Sequence, residues 1–140
     1  MVYYLGCDSL FPCLPAWDEK NPAFHVDTLT KENEQRVRSK LPHEHIYYLG
    51  SHEGCGCGFR SESDGFLLAR EGDDARAEAE DQAALAAFLA AIPRKGRAMQ
   101  IFGCWSGDEL EPIAFRRECE IRDLATQTFA FREREIITLR

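Results

Sequence analysis

Residues 47–52 read YYLGSH and residues 3–8 read YYLGCD, so one short pattern occurs twice in a chain of 140 residues. Residues 100–105, QIFGCW, repeat it more loosely. Each copy is an apolar run that reaches a glycine and then a small Cys or Ser. This predicts a strand whose backbone turns sharply, or approaches another segment closely, at the glycine. The spacings between copies are unequal, so the pattern does not indicate a repeat array.

The three predicted strands suggest a site at their ends. If they are parallel neighbours, their carboxyl ends meet at one edge of the sheet, where open α/β sheets bind ligands. That arrangement would bring Cys7, Ser51, His52 and Cys104 together. The alternative is coincidence, because aromatic and aliphatic residues precede glycine in many strands.

The segment after the second copy, residues 51–58, reads SHEGCGCG, and we name it the Cys loop. An imidazole and two thiols lie within six residues, at His52, Cys55 and Cys57, and these are the ligands that zinc prefers. We expect Cys7 or Cys104 to complete a set of four donors. The C-x-C spacing differs from the C-x2-C of common zinc knuckles, which weakens this interpretation. The other residues expected to line the pocket are Ser51, Glu53, Gly54, Gly56, Asp8 and Trp105.

Three other functions fit the same loop. A cysteine near a histidine can have a lowered pKa, so a redox or transfer enzyme that uses Cys55 or Cys57, with His52 as the base, is the enzyme alternative. The glycines permit backbone N–H groups to bind an anion, although the Lys and Ser/Thr of a P-loop are missing. In the third alternative the cysteines are structural, and the chain is an interaction module without chemistry, such as a homodimer joined through exposed strands.

Hydrophobic spacing predicts the other elements. Thr30 is the expected N-cap of a first helix that Pro42 ends. Residues 75–92 carry apolar residues at helical spacing and form the second helix. Strands are predicted near residues 2–5, 24–29, 45–49, 59–62, 66–69, 98–102, 113–121 and 129–139, with a hairpin turn at residues 63–65 and a break near residues 133–135. Around residues 113–121 a helix through Leu110, Ala114, Ile121 and Leu124 is the alternative.

Composition limits the class of protein. With 44% hydrophobic and 29% charged residues, the chain is globular, and residues 1–140 are expected to form one layered domain. The predicted fold is α/β, a mixed sheet with two helices packed on it, with α+β as the alternative. The net charge of −7 argues against a nucleic-acid partner. Residues 1–93 hold eight basic and sixteen acidic residues, whereas residues 94–140 hold nine and eight.

No signal peptide and no apolar run of spanning length are seen, so we expect a cytoplasmic protein without a membrane partner and with reduced cysteines. Its expected ligand is a small molecule or a metal ion such as zinc. Among the remaining residues, Cys13 is expected to be an exposed thiol and Cys119 a core residue. His25 is expected to face solvent or a polar contact, and His43 to lie in a solvated turn.

Overall fold

The computed structural model of the protein describes residues 1–11, 13–63, 66–67 and 69–140. In these ranges the chain forms two α-helices, α1 (Lys31–Arg38) and α2 (Gly72–Ala90). The strands are β1 (Val2–Cys7), β2 (His25–Thr28), β3 (His45–Gly50), β4 (Ser61–Ser63), β5 (Phe66–Leu67), β6 (Gln100–Cys104), β7 (Phe115–Cys119), β8 (Phe131–Arg132) and β9 (Glu135–Leu139). Short 3-10 helices occupy Gly56–Gly58 and Ile121–Ala125.

The main sheet has six strands in the order β2-β3-β1-β6-β9-β7. Its neighbouring strands are antiparallel except for β7 and β9, which are parallel. A second sheet has three strands in the order β5-β4-β8. Mixed sheets packed with two helices confirm the predicted mixed α/β fold. No helix in the described ranges is both long and apolar enough to cross a membrane.

The three copies of the strand pattern are neighbours, as β1, β3 and β6, but they are antiparallel, so the condition for a shared site at their carboxyl ends is not met. Tyr4 of β1 pairs with Tyr48 of β3 in antiparallel register, and β6 is also antiparallel to β1. Cys7 therefore lies opposite His45, at the start of β3, and far from the end of that strand. Alternating apolar residues specify which face a strand buries, and they carry no information about its direction.

The glycines of these strands make room for aromatic rings. A Cβ atom at Gly6 would lie 2.6 Å from the ring of His43, and one at Gly103 would lie 2.6 Å from the ring of Tyr3. Such distances are well inside van der Waals contact, so only glycine fits. Of the two uses of glycine considered for the sequence, close approach is the one found at both positions.

The two helices pack on opposite faces of the main sheet. Leu85 and Leu89 of α2 lie in one core with Leu5 of β1. Val37 of α1 lies in a second core with Tyr4, the residue before Leu5. Successive residues of a strand point to opposite faces, so β1 contributes to both cores.

Several local predictions are confirmed. The Thr30 side chain accepts a hydrogen bond from the backbone N–H of Asn33 at 3.2 Å and caps α1. The last predicted strand is broken between β8 and β9, where Arg134 has a φ of 54°. Of the predicted hairpin turn at residues 63–65, Asp64 and Gly65 lie outside the described residues.

Two histidines are more buried than charge and polarity suggest. His43 was expected in a solvated turn, but it is only 4% exposed, and its Nε2 lies 3.0 Å from Oε1 of Gln100. The space over Gly6 accounts for this burial, because the imidazole occupies the place of a side chain there. His25 has the polar contact expected for it, since its Nδ1 lies 3.1 Å from the carbonyl oxygen of Ala23.

Candidate functional site

Ser51 determines the shape of the Cys loop. This residue is fully buried, and its hydroxyl donates to the carbonyl of Cys55 at 2.6 Å. The same oxygen accepts hydrogen bonds from the backbone N–H of Glu53 at 3.2 Å and of Gly58 at 2.9 Å. The backbone N–H of Ser51 also donates to the Cys55 carbonyl, at 2.8 Å. One side chain thus satisfies the polar backbone groups of a buried turn, which would otherwise be costly.

Gly56, between the two cysteines of the loop, is required by space. A Cβ at this position would lie 2.4 Å from the ring of Tyr3 and 2.7 Å from the carbonyl oxygen of Met1. Tyr3 cannot retreat, because its ring packs against Phe59 and Phe131 with centroids 5.6 and 4.5 Å away. The middle position of the C-x-C segment therefore lies directly on the core.

The loop brings three potential metal ligands together. One donor atom each from Glu53, Cys55 and Cys57 lies within 4.8 Å of the other two. Cys55 is half-buried and Cys57 is exposed, and the backbone N–H of Cys57 donates to the sulfur of Cys55 at 3.3 Å. Two thiolates on a tetrahedral zinc ion are about 3.8 Å apart, so only a small contraction would bring these donors to ligand distance.

His52 lies beside this cluster and is oriented by α2. Both its backbone N–H and its ring Nδ1 donate to the carboxylate of Asp81, the backbone bonds measuring 3.1 and 3.2 Å. Asp81 is 2% exposed, so this contact is shielded from water. In a neutral imidazole the remaining nitrogen, Nε2, then carries the lone pair, and it lies 3.9 Å from Oε1 of Glu53.

An ion-pair chain joins the loop to α2 by a second route. Nη1 of Arg70 lies 3.3 Å from Oε1 of Glu53, and another nitrogen of this guanidinium donates to the Cys57 carbonyl. Nε of Arg70 is 3.1 Å from Glu78, a buried residue of α2 that also pairs with Arg60 at 2.8 Å. Glu53 is therefore held on the side of the loop that faces α2.

The first half of α2 packs a polar face against the loop, which the sequence analysis did not identify. Glu78, Asp81 and Gln82 are buried. The helical spacing of Leu85 and Leu89, continued toward the N-terminus, passes through residues 78, 81 and 82. This helical spacing in the sequence was enough to place residues 78, 81 and 82 on the buried face of α2. It was missed because charged residues are usually assigned to the surface.

Burial governs the ionisation of the site. It raises the pKa of the Cys55 thiol, and the neighbouring Cys57 adds to the shift. Burial also raises the pKa of Asp81, while the hydrogen bonds from His52 act in the opposite direction. Cys55 is thus held in its neutral form until something favours the thiolate, which argues against a permanently activated nucleophile.

The other predicted site residues lie elsewhere. Cys7 and Asp8 are at the opposite end of β1. Cys104 lies at the same edge of the sheet as the Cys loop, but it is packed in the core beside α1, where burial raises its pKa to about 12. Trp105 is 47% exposed and lines a separate cavity with Phe66 and Leu67.

Within the described ranges, the donors that do meet are Glu53, Cys55 and Cys57, with His52 adjacent. A carboxylate, two thiols and an oriented imidazole can bind a borderline-soft cation, and two neighbouring thiols can also form a disulfide. Comparison with known proteins finds no matching family model, no matching curated protein and no matching solved structure.

Proposed function

We propose that the Cys loop binds a divalent metal ion of the zinc class through Glu53, Cys55 and Cys57, with His52 as the fourth ligand. The observation that carries the proposal is the clustering of three donor atoms within 4.8 Å on one short loop. Thiolate, imidazole and carboxylate are the protein ligands of zinc, and four donors complete its tetrahedral shell.

The surroundings of His52 support its role as a ligand. Metal-binding histidines usually donate their second ring N–H to a carboxylate, which fixes the tautomer and the ring orientation. Asp81 accepts such a hydrogen bond from Nδ1 here and leaves Nε2 for the ion. Nε2 lies 3.9 Å from Glu53, and the side chains of the loop would move to bring it to the ion together with the two sulfurs.

The charge of the site also suits a dication. With both cysteines ionised, the donors carry three negative charges, and Arg70 offsets part of this through its contact with Glu53. The ion replaces the proton that burial keeps on Cys55. Metal binding therefore releases protons and weakens as the pH falls below neutrality.

The proposal is tested by titrating the reduced protein with Zn²⁺ and with Co²⁺, whose thiolate complexes absorb strongly in the near ultraviolet. We expect one ion per chain and thiolate-to-Co²⁺ absorption. Cys55→Ser and Cys57→Ser should each weaken binding at least about 100-fold, because each removes a thiolate ligand. Asp81→Asn should weaken binding about 10-fold, by disturbing the orientation of His52.

Cys13→Ser is the matched control, because Cys13 is a free, exposed cysteine outside the loop. This variant should bind zinc like the unmodified protein. Equal losses in Cys13→Ser and Cys57→Ser would show adventitious thiol binding, and the absence of stoichiometric zinc binding would refute the proposal.

A further inference from the structure

We infer that a second site, at the opposite end of β1 from the Cys loop, binds a small organic phosphate. The site is formed by residues 93–97, PRKGR, which follow α2 and which we name the basic loop. The inference is independent of the proposed metal site, since the two loops lie at opposite ends of the same strand.

The basic loop lies over a cavity of about 440 Å³. The apolar part of its lining comes from the exposed Pro93 and Ala98 and from Cys7, Met99 and Leu139, which are nearly fully buried. Its volume is within the range of small-molecule pockets, which combine an apolar lining with a few polar groups that fix the ligand. The cavity therefore has room for a ring-sized apolar body.

Both ends of the basic loop are tied to the segment that follows β1. The hydroxyl of Ser9 donates to the carbonyl of Pro93 at 2.8 Å, and the backbone N–H of Arg97 donates to Oδ2 of Asp8 at 2.8 Å. Gly96 has a φ of 67°, and a Cβ there would lie 2.4 Å from the same Asp8 oxygen. The loop is thus held in one shape while its middle side chains project from it.

Those side chains make the cavity cationic in an acidic protein. Arg94, Lys95 and Arg97 all line it. Neither Arg94 nor Lys95 forms an ion pair with any residue in the described ranges. Arg140 also lines the cavity, but it is paired with Glu118, so the inference rests on the basic loop alone.

Asp8, the acidic residue in the lining, has its carboxylate engaged. Its Oδ1 accepts the backbone N–H of Glu44 at 3.0 Å, and its Oδ2 accepts that of Arg97. The imidazole of His43 lies 3.5 Å from Oδ1. Asp8 therefore organises the backbone around the cavity and attracts Arg97, whose guanidinium also donates to the Pro42 carbonyl. Arg94 and Lys95 are the positive charges of the basic loop that keep no carboxylate partner in the described ranges.

Capping of α2 does not account for these cations. Basic residues often follow a helix because they bind its last carbonyl groups. Here the backbone N–H of Ala91 bonds to the carbonyls of Ala87 and Phe88, and the N–H of Ile92 bonds to that of Leu89. Three carbonyls of the last turn are thus bonded by the backbone, and in the described ranges neither Arg94 nor Lys95 donates a hydrogen bond to the helix end.

A phosphate monoester fits these features. Guanidinium and ammonium groups bind phosphate through charge-assisted hydrogen bonds, and a dianion matches several adjacent cations better than a carboxylate does. The apolar part of the lining, with Pro93 and Ala98 as its exposed residues, favours an organic body over free phosphate. Binding should strengthen as the pH rises past about 6, where the second proton leaves a phosphate monoester.

Phenyl phosphate is the probe, and binding is followed by calorimetry at low salt. We expect saturable binding that is at least about 10-fold tighter than that of inorganic phosphate or benzoate. Replacing both Arg94 and Lys95 by Ala should weaken it at least about 10-fold, because two charged donors are lost. Ala98→Trp, which adds a bulky side chain to the lining without changing its charge, should weaken it.

Arg76→Ala is the matched control, since Arg76 is an exposed arginine near the start of α2 and outside the cavity. It should bind phenyl phosphate like the unmodified protein, and circular dichroism checks that every variant is folded. Equal weakening by Arg76→Ala and the double variant would overturn the inference. So would benzoate binding as tight as that of phenyl phosphate, or no saturation at about 10 mM.

Discussion

The Cys loop and the basic loop lie at opposite ends of β1, and they are held in different ways. Ser51 fills the Cys loop from within, and α2 reaches it through Asp81 and Glu78. The basic loop is instead fixed at its two ends, by Ser9 and Asp8. The Cys loop has hydrogen bonds between its own polar groups, whereas Arg94 and Lys95 of the basic loop have no ion-pair partner in the described ranges.

This difference bears on the ligands that each loop suits. A metal ion requires several donors at fixed short distances, so its site gains from interior hydrogen bonds that limit movement. Phosphate recognition by long basic side chains tolerates more freedom, because charge acts over a longer range than a coordinate bond. The way each loop is supported is thus consistent with the function proposed for it.

The largest contrast is expected from alanine substitution of the central glycine in each loop. A Cβ at Gly56 or Gly96 would lie 2.4 Å from its nearest neighbour. At Gly56 the neighbour is the immobile ring of Tyr3, so Gly56→Ala should reduce the free energy of unfolding by about 3 kcal/mol. At Gly96 the neighbour is the carboxylate of Asp8, which can make room only by giving up its hydrogen bond from the Arg97 N–H, so the cost should be about 2 kcal/mol, from the lost bond and the positive φ.

Chemical denaturation measures both values under the same conditions. A smaller loss for Gly56→Ala than for Gly96→Ala would mean that the Cys loop yields more easily than its packing against Tyr3 implies.

The second largest contrast is expected in the alkylation rates of the thiols near the two loops. Cys57 is exposed, whereas Cys7, in the lining of the cavity under the basic loop, is 1% exposed and has a pKa raised by burial. Cys7 therefore reacts only when the structure opens, and we expect its alkylation to be at least about 100-fold slower. Mass spectrometry of the metal-free protein after timed exposure to iodoacetamide gives both rates, with Cys13 as the exposed reference.

The next contrast is the loss of unfolding free energy when Ser51 or Ser9, the serine that holds each loop, is replaced by alanine. Ser51→Ala removes one donated and two accepted hydrogen bonds inside a buried loop, so we expect a loss of about 2 kcal/mol. Ser9→Ala removes the single bond to Pro93 and should cost about 1 kcal/mol. Denaturant midpoints at equal slope test the order, and equal costs would contradict the claim that only the Cys loop is supported from within.

The smallest expected contrast is in pH dependence, and it has opposite signs at the two loops. Hydrogen bonds from the N–H groups of Glu44 and Arg97 lower the pKa of Asp8 below 3.8, so its ionised form contributes stability above that pH and loses it in more acidic solution. Burial raises the pKa of Asp81 above 3.8, so ionising it costs stability as the pH rises.

Unfolding measured from about pH 3 to pH 6 tests these signs. The deficit of Asp8→Asn relative to the unmodified protein should shrink as the pH falls. The free energy of unfolding of Asp81→Asn should rise relative to the unmodified protein as the pH rises. The same sign in both variants would contradict this assignment.

The local elements were predictable because their signals are local. Thr30 caps a helix whichever way the sheet is ordered, and the apolar spacing of Leu85 and Leu89 defines α2 wherever it packs. Strand direction was not predictable in this way. Because the strands are antiparallel, Cys7 and Cys104 lie at opposite ends of the sheet and do not meet. Strand direction depends on how β1 pairs with strands whose partner residues lie 38 or more positions away in the chain.

The donor residues of the candidate site could be predicted from the sequence, but the residues that hydrogen-bond to them could not. His52, Cys55 and Cys57 stand out because they lie on one glycine-rich segment. Asp81 and Arg70 come from segments whose polar residues looked like ordinary surface charges. Only the tertiary structure shows that a buried face of α2 meets the Cys loop.

The pairing of Tyr4 with Tyr48 has a thermodynamic consequence. It places the two loops a full strand apart, roughly 17 Å for the length of β1. Sites separated by more than about 10 Å usually contribute additively, so a double-mutant cycle between Gly56 and Gly96 should give a coupling energy near zero. If both proposed sites bind their ligands, saturating one loop should leave the affinity of the other unchanged, and the two binding equilibria would be uncoupled.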